Sequence, residues 1–130
     1  MTFALNEGEI MKPLILITDE EAQIVEGMKR LLESEGYRLF STFSGDLLRE
    51  VILKEQPSLV IVNLIMPKEM GISIVKNIKS IAPSLPIIGI TVFSESFNGY
   101  ETRDYGMDIC FSKPFDIEVF RRSVTRLIRS

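Results

Sequence analysis

Leu59-Val60-Ile61-Val62 is an unbroken apolar run, three of its four residues β-branched, that stops at Asn63 and meets Pro67 four residues later. A strand with one wet face would alternate apolar and polar residues. A short run that is apolar throughout reads instead as a strand covered on both faces, the kind that parallel sheets contain. Asn63 stands at the carboxyl end of this strand, and in open α/β sheets that edge is where chemistry is placed.

The same grammar recurs along the chain. Leu14-Ile15-Leu16-Ile17-Thr18 runs into Asp19-Glu20-Glu21, and Ile87-Ile88-Gly89-Ile90-Thr91 ends in a hydroxyl. Ile109-Cys110-Phe111-Ser112 is a short strand that leads to Lys113-Pro114, and Arg38 to Phe43 alternates less cleanly, as a strand near a sheet edge does. Helix patterns lie between. Ile24, Val25, Met28, Leu31 and Leu32 share a stripe that Gly36 closes. Ser44-Gly45-Asp46 starts a second helix, with Leu47, Leu48, Val51 and Ile52 inward as far as Lys54. Lys68 to Gly71 reads as a loop and Ile72 to Ile81 as a helix. Ser94 to Tyr105 is a polar, weakly periodic helix ended by Gly106. Asp116 caps a last helix with Ile117, Phe120, Val124, Leu127 and Ile128 inward and Arg121, Arg122, Arg126 and Arg129 mostly outward. Five strands alternating with five helices predict one α/β domain over residues 13–130, a doubly wound (βα)5 three-layer sandwich with right-handed crossovers. Residues 1–12 read as a poorly ordered tail, with Met11 a second candidate start.

Composition excludes several classes. The length of 130 residues suits one core, and 45% hydrophobic residues can build it. A net charge of −3 argues against a nucleic-acid surface. The chain has no histidine, which removes histidine metal sites, catalytic triads and phosphohistidine carriers. Its one cysteine, Cys110, permits no internal disulfide and suits a reducing compartment, hence a cytoplasmic protein. No apolar run is long enough to span a bilayer, and the acidic start is not a signal peptide.

In a parallel sheet the strand ends face one way, so Asp19, Glu20, Asn63, Thr91 and Lys113 converge on one pocket. Adjacent carboxylates make a hard oxygen site suited to Mg²⁺. A lysine and a hydroxyl opposite can hold a phosphoryl group's oxygens. These residues, with the run Asn63-Leu64-Ile65-Met66-Pro67, Gly71 and Lys113-Pro114-Phe115, resemble a response-regulator receiver domain of two-component phosphorelay signalling, over Pro13 to Arg129. The resemblance implies a flavodoxin-like sheet in the order 2-1-3-4-5 and a signalling module that is not an enzyme. It implies Mg²⁺ held by Glu20 directly, by Asp19 partly through water, by position 63 and by the backbone carbonyl of Ile65. It implies a phosphoryl contact from Thr91, an ion pair from Lys113 and a cis Lys113–Pro114 bond. The implied partners are a sensor histidine kinase or another signalling protein. A homodimer face would be made by the helix after the fourth strand, the fifth strand and the last helix. No nucleic-acid or membrane contact is implied.

Two positions depart from the family. Its phospho-acceptor is an aspartate, and here it is Asn63, whose amide oxygen is a poor nucleophile. Losing that charge also weakens the metal site. Its switch aromatic, three residues before the lysine, is here Cys110, which has no ring to bury behind Thr91. The expected protein is therefore a pseudo-receiver working by protein contact. One alternative is an ordinary receiver with an engineered acceptor substitution. Another is a Mg²⁺-dependent phosphohydrolase with Asp19 as nucleophile, which Asp19-Glu20-Glu21 fits poorly because that chemistry uses two aspartates one residue apart. A flavin site is weaker still, since the loop after the first strand is acidic. Plainer readings stand beside these: an acidic helix start for Asp19 and Glu20, a solvated lysine at 113, and a small buried hydrophobe at Cys110.

Overall fold

The computed structural model describes residues 12–18, 22–42, 48–64, 68–91, 106–112 and 115–129. Along the chain these form β1 (Leu14–Thr18), α1 (Ala22–Ser34), β2 (Arg38–Thr42), α2 (Leu48–Glu55), β3 (Leu59–Leu64), α3 (Lys68–Ile81), β4 (Ile87–Thr91), β5 (Ile109–Ser112) and α4 (Ile117–Arg129). The strands make one five-stranded parallel sheet in the order β2-β1-β3-β4-β5. This is the flavodoxin-like order expected of the sequence. The opening run is its central strand, and β2 is at an edge, where Phe40 stays 38% exposed.

Successive side chains on a strand point to opposite faces. Val60, Val62 and Leu64 therefore enter one core with Leu16, Ile87, Ile52 and Val75, under α2 and α3. Leu59 and Ile61 enter the other with Ile15, Ile88, Leu32 and Phe120, under α1 and α4. All four residues of the run are at most 1% exposed, so each position must be apolar. Burying each such side chain stabilises the fold by roughly 1.5–3 kcal/mol.

Local signals stop the helices where the layers need them to turn. Beyond α1, the Gly36 N–H bonds to the Glu33 carbonyl and the Tyr37 N–H to the Leu32 carbonyl, at 3.0 and 3.1 Å. This pattern needs a left-handed residue at position 36, and Gly36 has φ of +92°. At the start of α4, one Asp116 carboxylate oxygen accepts the N–H groups of Glu118 and Val119, at 2.8 and 3.2 Å, as the expected cap. Phe115, just before the cap, packs on Phe120 four residues beyond it, with ring centroids 5.4 Å apart. That pairing is a hydrophobic staple. It corrects one expectation: Ile117 is 48% exposed rather than inward, because Phe115 fills the space beneath the first turn. Outside this stripe, Arg122, Arg126 and Arg129 are exposed, and Arg121 pairs with Glu35 and Glu118.

A second correction concerns α3. Its first turn includes Lys68 to Gly71, which the sequence reads as a loop. Gly71 is buried against the end of β3, where a Cβ would stand 2.8 Å from Leu64 Cδ2 and 3.2 Å from Leu64 Cα. The glycine that suggested a loop is what lets a helix approach the strand this closely. The expected helix over Ser94 to Tyr105, Phe43, and the expected start of the second helix at residues 44–47 lie outside the described residues.

Two substitutions separate these effects. Gly27 in α1 has open space where a Cβ would go, so Gly27→Ala should stabilise by up to about 1 kcal/mol through helix propensity. Gly71→Ala should instead destabilise by about 1–3 kcal/mol, since the new methyl overpacks Leu64 and its backbone. Urea unfolding midpoints of the two variants should move in opposite directions.

Candidate functional site

The carboxyl edge of the sheet is a row of short polar side chains: Thr42, Thr18, Asn63, Thr91 and Ser112, in sheet order. Register aligns them. Thr18 is level with Thr42 on one side and Val62 on the other, Leu64 with Thr91, and Thr91 with Ser112. Asn63 pairs with Ile90, so Thr91 is one step diagonal to it on the neighbouring strand, where strands lie about 5 Å apart. Asn63 is half-buried, whereas Thr91 is 1% exposed. By the pleat, Asn63 shares parity with Leu59 and Ile61 toward α1 and α4, and Thr91 shares parity with Ile87 toward α2 and α3.

Two hydroxyls on this edge, Thr18 Oγ1 and Ser112 Oγ, are buried without a hydrogen-bond partner among the described residues. An unsatisfied buried hydroxyl costs about 1–3 kcal/mol. Such atoms mark a place for a water, an ion or a loop group.

Of the residues singled out by sequence, Asn63, Thr91 and Cys110 are among those described. Asp19, Glu20, Ile65, Lys113 and Pro114 lie outside them, as does the expected cis bond. In sequence Asp19 follows Thr18, Ile65 follows Leu64 and Lys113 follows Ser112, and those three preceding residues end neighbouring strands of the one parallel sheet. Among the described residues, no three acidic or cysteine side chains gather as a metal-binding group.

Cys110 is level with Gly89 and packs against the α2–α3 core. The neighbourhood is full. A Cβ at Gly89 would lie 2.5 Å from Met107 Sδ, 2.8 Å from Leu64 Cδ1 and 3.5 Å from Cys110 Sγ. Met107, 1% exposed, is a core residue that the sequence pattern missed, because a lone methionine after Gly106 has no periodicity to mark it. Asp108 was missed as well. Its N–H donates to the Ile87 carbonyl at 2.9 Å and its carboxylate accepts the Ile87 N–H at 2.8 Å, which ties the start of β5 to β4.

Burial pushes the Cys110 thiol up from 9.0 to about 11. At neutral pH it is a protonated, weakly nucleophilic thiol. The unfolded chain ionises it at lower pH than the folded one. The stability tied to its protonated form is therefore complete below pH 9.0 and is lost as pH rises toward about 11. Unfolding curves across that range should fall more steeply for the native chain than for Cys110→Ser. At pH 8 a disulfide reagent should label the folded chain at least about ten-fold more slowly than the urea-unfolded chain.

Comparison with known proteins bears on this edge. Residues 15–125 match the family model of the response regulator receiver domain. Sporulation initiation phosphotransferase F of Bacillus subtilis is 30% identical over 119 residues, covering 92% of this chain and 96% of its own. The transcriptional regulatory protein DltR of Streptococcus agalactiae is 31% identical over 104 residues, and there this chain spans 46% of the relative's length. Among solved structures, response regulator TrrA of Thermotoga maritima, in complex with Mg²⁺–BeF, superposes with a TM-score of 0.74 at 24% identity, covering 90% of this chain and 99% of that one.

Proposed function

This chain belongs to the response regulator receiver family, and from that premise we propose that it is a two-component receiver module that takes no phosphoryl group at Asn63 and works by contact with other proteins. Receiver domains are generally non-enzymatic signalling modules that interact with sensor kinases and other signalling proteins. The observation that carries the finer reading is the place of Asn63: the end of the central strand, one diagonal step from the buried Thr91.

A family member receives its phosphoryl group on a carboxylate at this point. A carboxylate oxygen attacks phosphorus with a full lone pair. The amide oxygen of Asn63 has its lone pairs drawn into resonance and holds no charge. The groups around it suit a phosphoryl oxygen well. Thr91 would donate its hydroxyl, and Lys113, next after Ser112, would oppose the negative charge.

The residues fit a weak Mg²⁺ site. Asp19, Glu20, the Ile65 carbonyl and the Asn63 amide oxygen are all hard oxygen donors. The orphaned Thr18 hydroxyl, directly before the acidic pair, is consistent with further polar occupancy of that corner. The ion, when bound, neutralises charge on phosphoryl oxygens. With an amide in place of a carboxylate, the site has lost one negative charge. Receiver domains generally bind Mg²⁺ at the acceptor site, which supports this reading.

The readout departs from the family too. Cys110 stands where the family has a ring, and the space beside it at Gly89 is filled by Met107 and Leu64. The absence of a ring at Cys110 supports output by a stable surface rather than by a ring movement. The outer stripe of α4, with Val119, Arg122, Arg126 and Arg129 exposed, offers a contact face next to β5 for a signalling partner or a second copy. The reading places the module in the cytoplasm, without nucleic-acid or membrane contact of its own; among the described residues no helix is long and apolar enough to cross a membrane.

Restoring the missing atom tests the reading. Asn63→Asp should tighten Mg²⁺ by about ten-fold through the added charge. It should also gain a phosphoryl label from a small-molecule donor that is stable to acid and sensitive to hydroxylamine. A folded Asn63→Asp chain that gains neither would show that the pocket is not a receiver pocket lacking only its nucleophile.

A further inference from the structure

The end of the sheet away from Asn63 has an apolar groove of about 470 Å³. Its walls are the last turns of α2, α3 and α4 and the turns into β3 and β4, with Leu53, Pro57, Ile81, Leu85 and Ile128 among the lining residues. Among the described residues no charged side chain lines it, but its rim is basic. Lys54 follows Leu53, Arg126 and Arg129 bracket Leu127 and Ile128, and all three cations are exposed. The occupant that suits such a groove offers apolar side chains with acidic ones beside them.

The opposite end of α4 presents that pattern. Asp116-Ile117-Glu118-Val119 alternates acid and apolar, and all four residues are exposed. Glu35 joins this corner through Arg121, which pairs with Glu118 as well. Glu35, Asp116 and Glu118 outnumber Arg121 and Arg122 there, so the corner keeps an acidic excess. Single exposed apolar residues are ordinary on a protein surface. Here the large ones gather. Among the described residues they are Phe40, Leu53, Ile117 and Val119; Leu53 stands on the lip of the groove, and Ile117 and Val119 are in this first turn. From Ile117 to Ile128 the helix axis runs roughly 16 Å, so one copy cannot bring its own first turn to its own groove.

We propose that the groove receives the first turn of α4 from a second copy of the chain, with Ile117 and Val119 against Leu53 and the groove wall and with Asp116 and Glu118 toward Lys54 and Arg129. The two patches differ, so the contact is head to tail. Each copy that fills a groove leaves its own groove open for the next, and repetition builds a row or a ring rather than a two-fold pair. The contact is independent of whether Asn63 takes a phosphoryl group.

Sedimentation equilibrium of the full chain reads the contact. A groove of this size makes a weak one, so the average mass should rise between about 10 µM and about 1 mM without levelling at two copies. Leu53→Glu, which spoils the groove, should stay monomeric over that range. So should Ile117→Ser with Val119→Ser, which spoils the first turn of α4. These positions are exposed, so each variant should keep the far-ultraviolet dichroism of the native chain. Mixed in equal amounts, the two variants should form a one-to-one pair that grows no further, because one supplies the intact turn and the other the intact groove. Phe40→Ser, outside both patches, should assemble as the native chain does. A native chain that stays monomeric would overturn the proposal and leave the groove to a foreign partner. Association that levels at two copies, or variants that fail to pair when mixed, would overturn it as well.

Discussion

Burial of β3 on both faces is the constraint on which the rest depends. A strand with Leu59 and Ile61 in one core and Val60 and Val62 in the other cannot face water on either side. It must have a helix layer above and below, so its connections to β1 and β4 must be crossovers rather than hairpins. Parallel pairing on both flanks follows, and with it a sheet whose carboxyl ends share one edge. Position 63 is the first residue of the central strand with freedom to be polar. A single substitution there reaches no core contact of the run, yet it acts at the centre of the edge.

At that edge, packing and charge act on different parts of the site. Thr91 is buried, Thr18 and Ser112 keep their hydroxyls unpaired among the described residues, and Leu64 is held under Gly71 by near-contact packing. Packing energy maintains the approach of Gly71 to Leu64. Charge does not behave this way. Two carboxylates and an amide hold a divalent cation less tightly than three carboxylates do, and no packing restores the difference.

The fold was legible because its strands are buried and its helices amphipathic, so periodicity marks both. What periodicity could not mark lies at the junctions. Gly71 looks like a breaker in sequence, and only its approach to Leu64 shows why a helix needs it. Ile117 fits the inner stripe of α4, but Phe115, outside the helix, occupies that space through its contact with Phe120. Met107 carries no pattern of its own, yet it fills the gap between Gly89 and Leu64. At the site, the strand-end residues Asn63 and Thr91 were legible for the reason the strands were: each terminates an apolar run. Asp19, Glu20 and Lys113 rest on the family pattern, since a loop residue's neighbours are set by tertiary packing and not by its spacing in the chain.

The central claim is that the reactive atom of this pocket is missing. Intact-mass measurement of the unaltered chain, after incubation with Mg²⁺ and a small phosphodonor, tests it most directly. A single unmodified species is the predicted result. A phosphoryl adduct that survives acid and is discharged by hydroxylamine would contradict it.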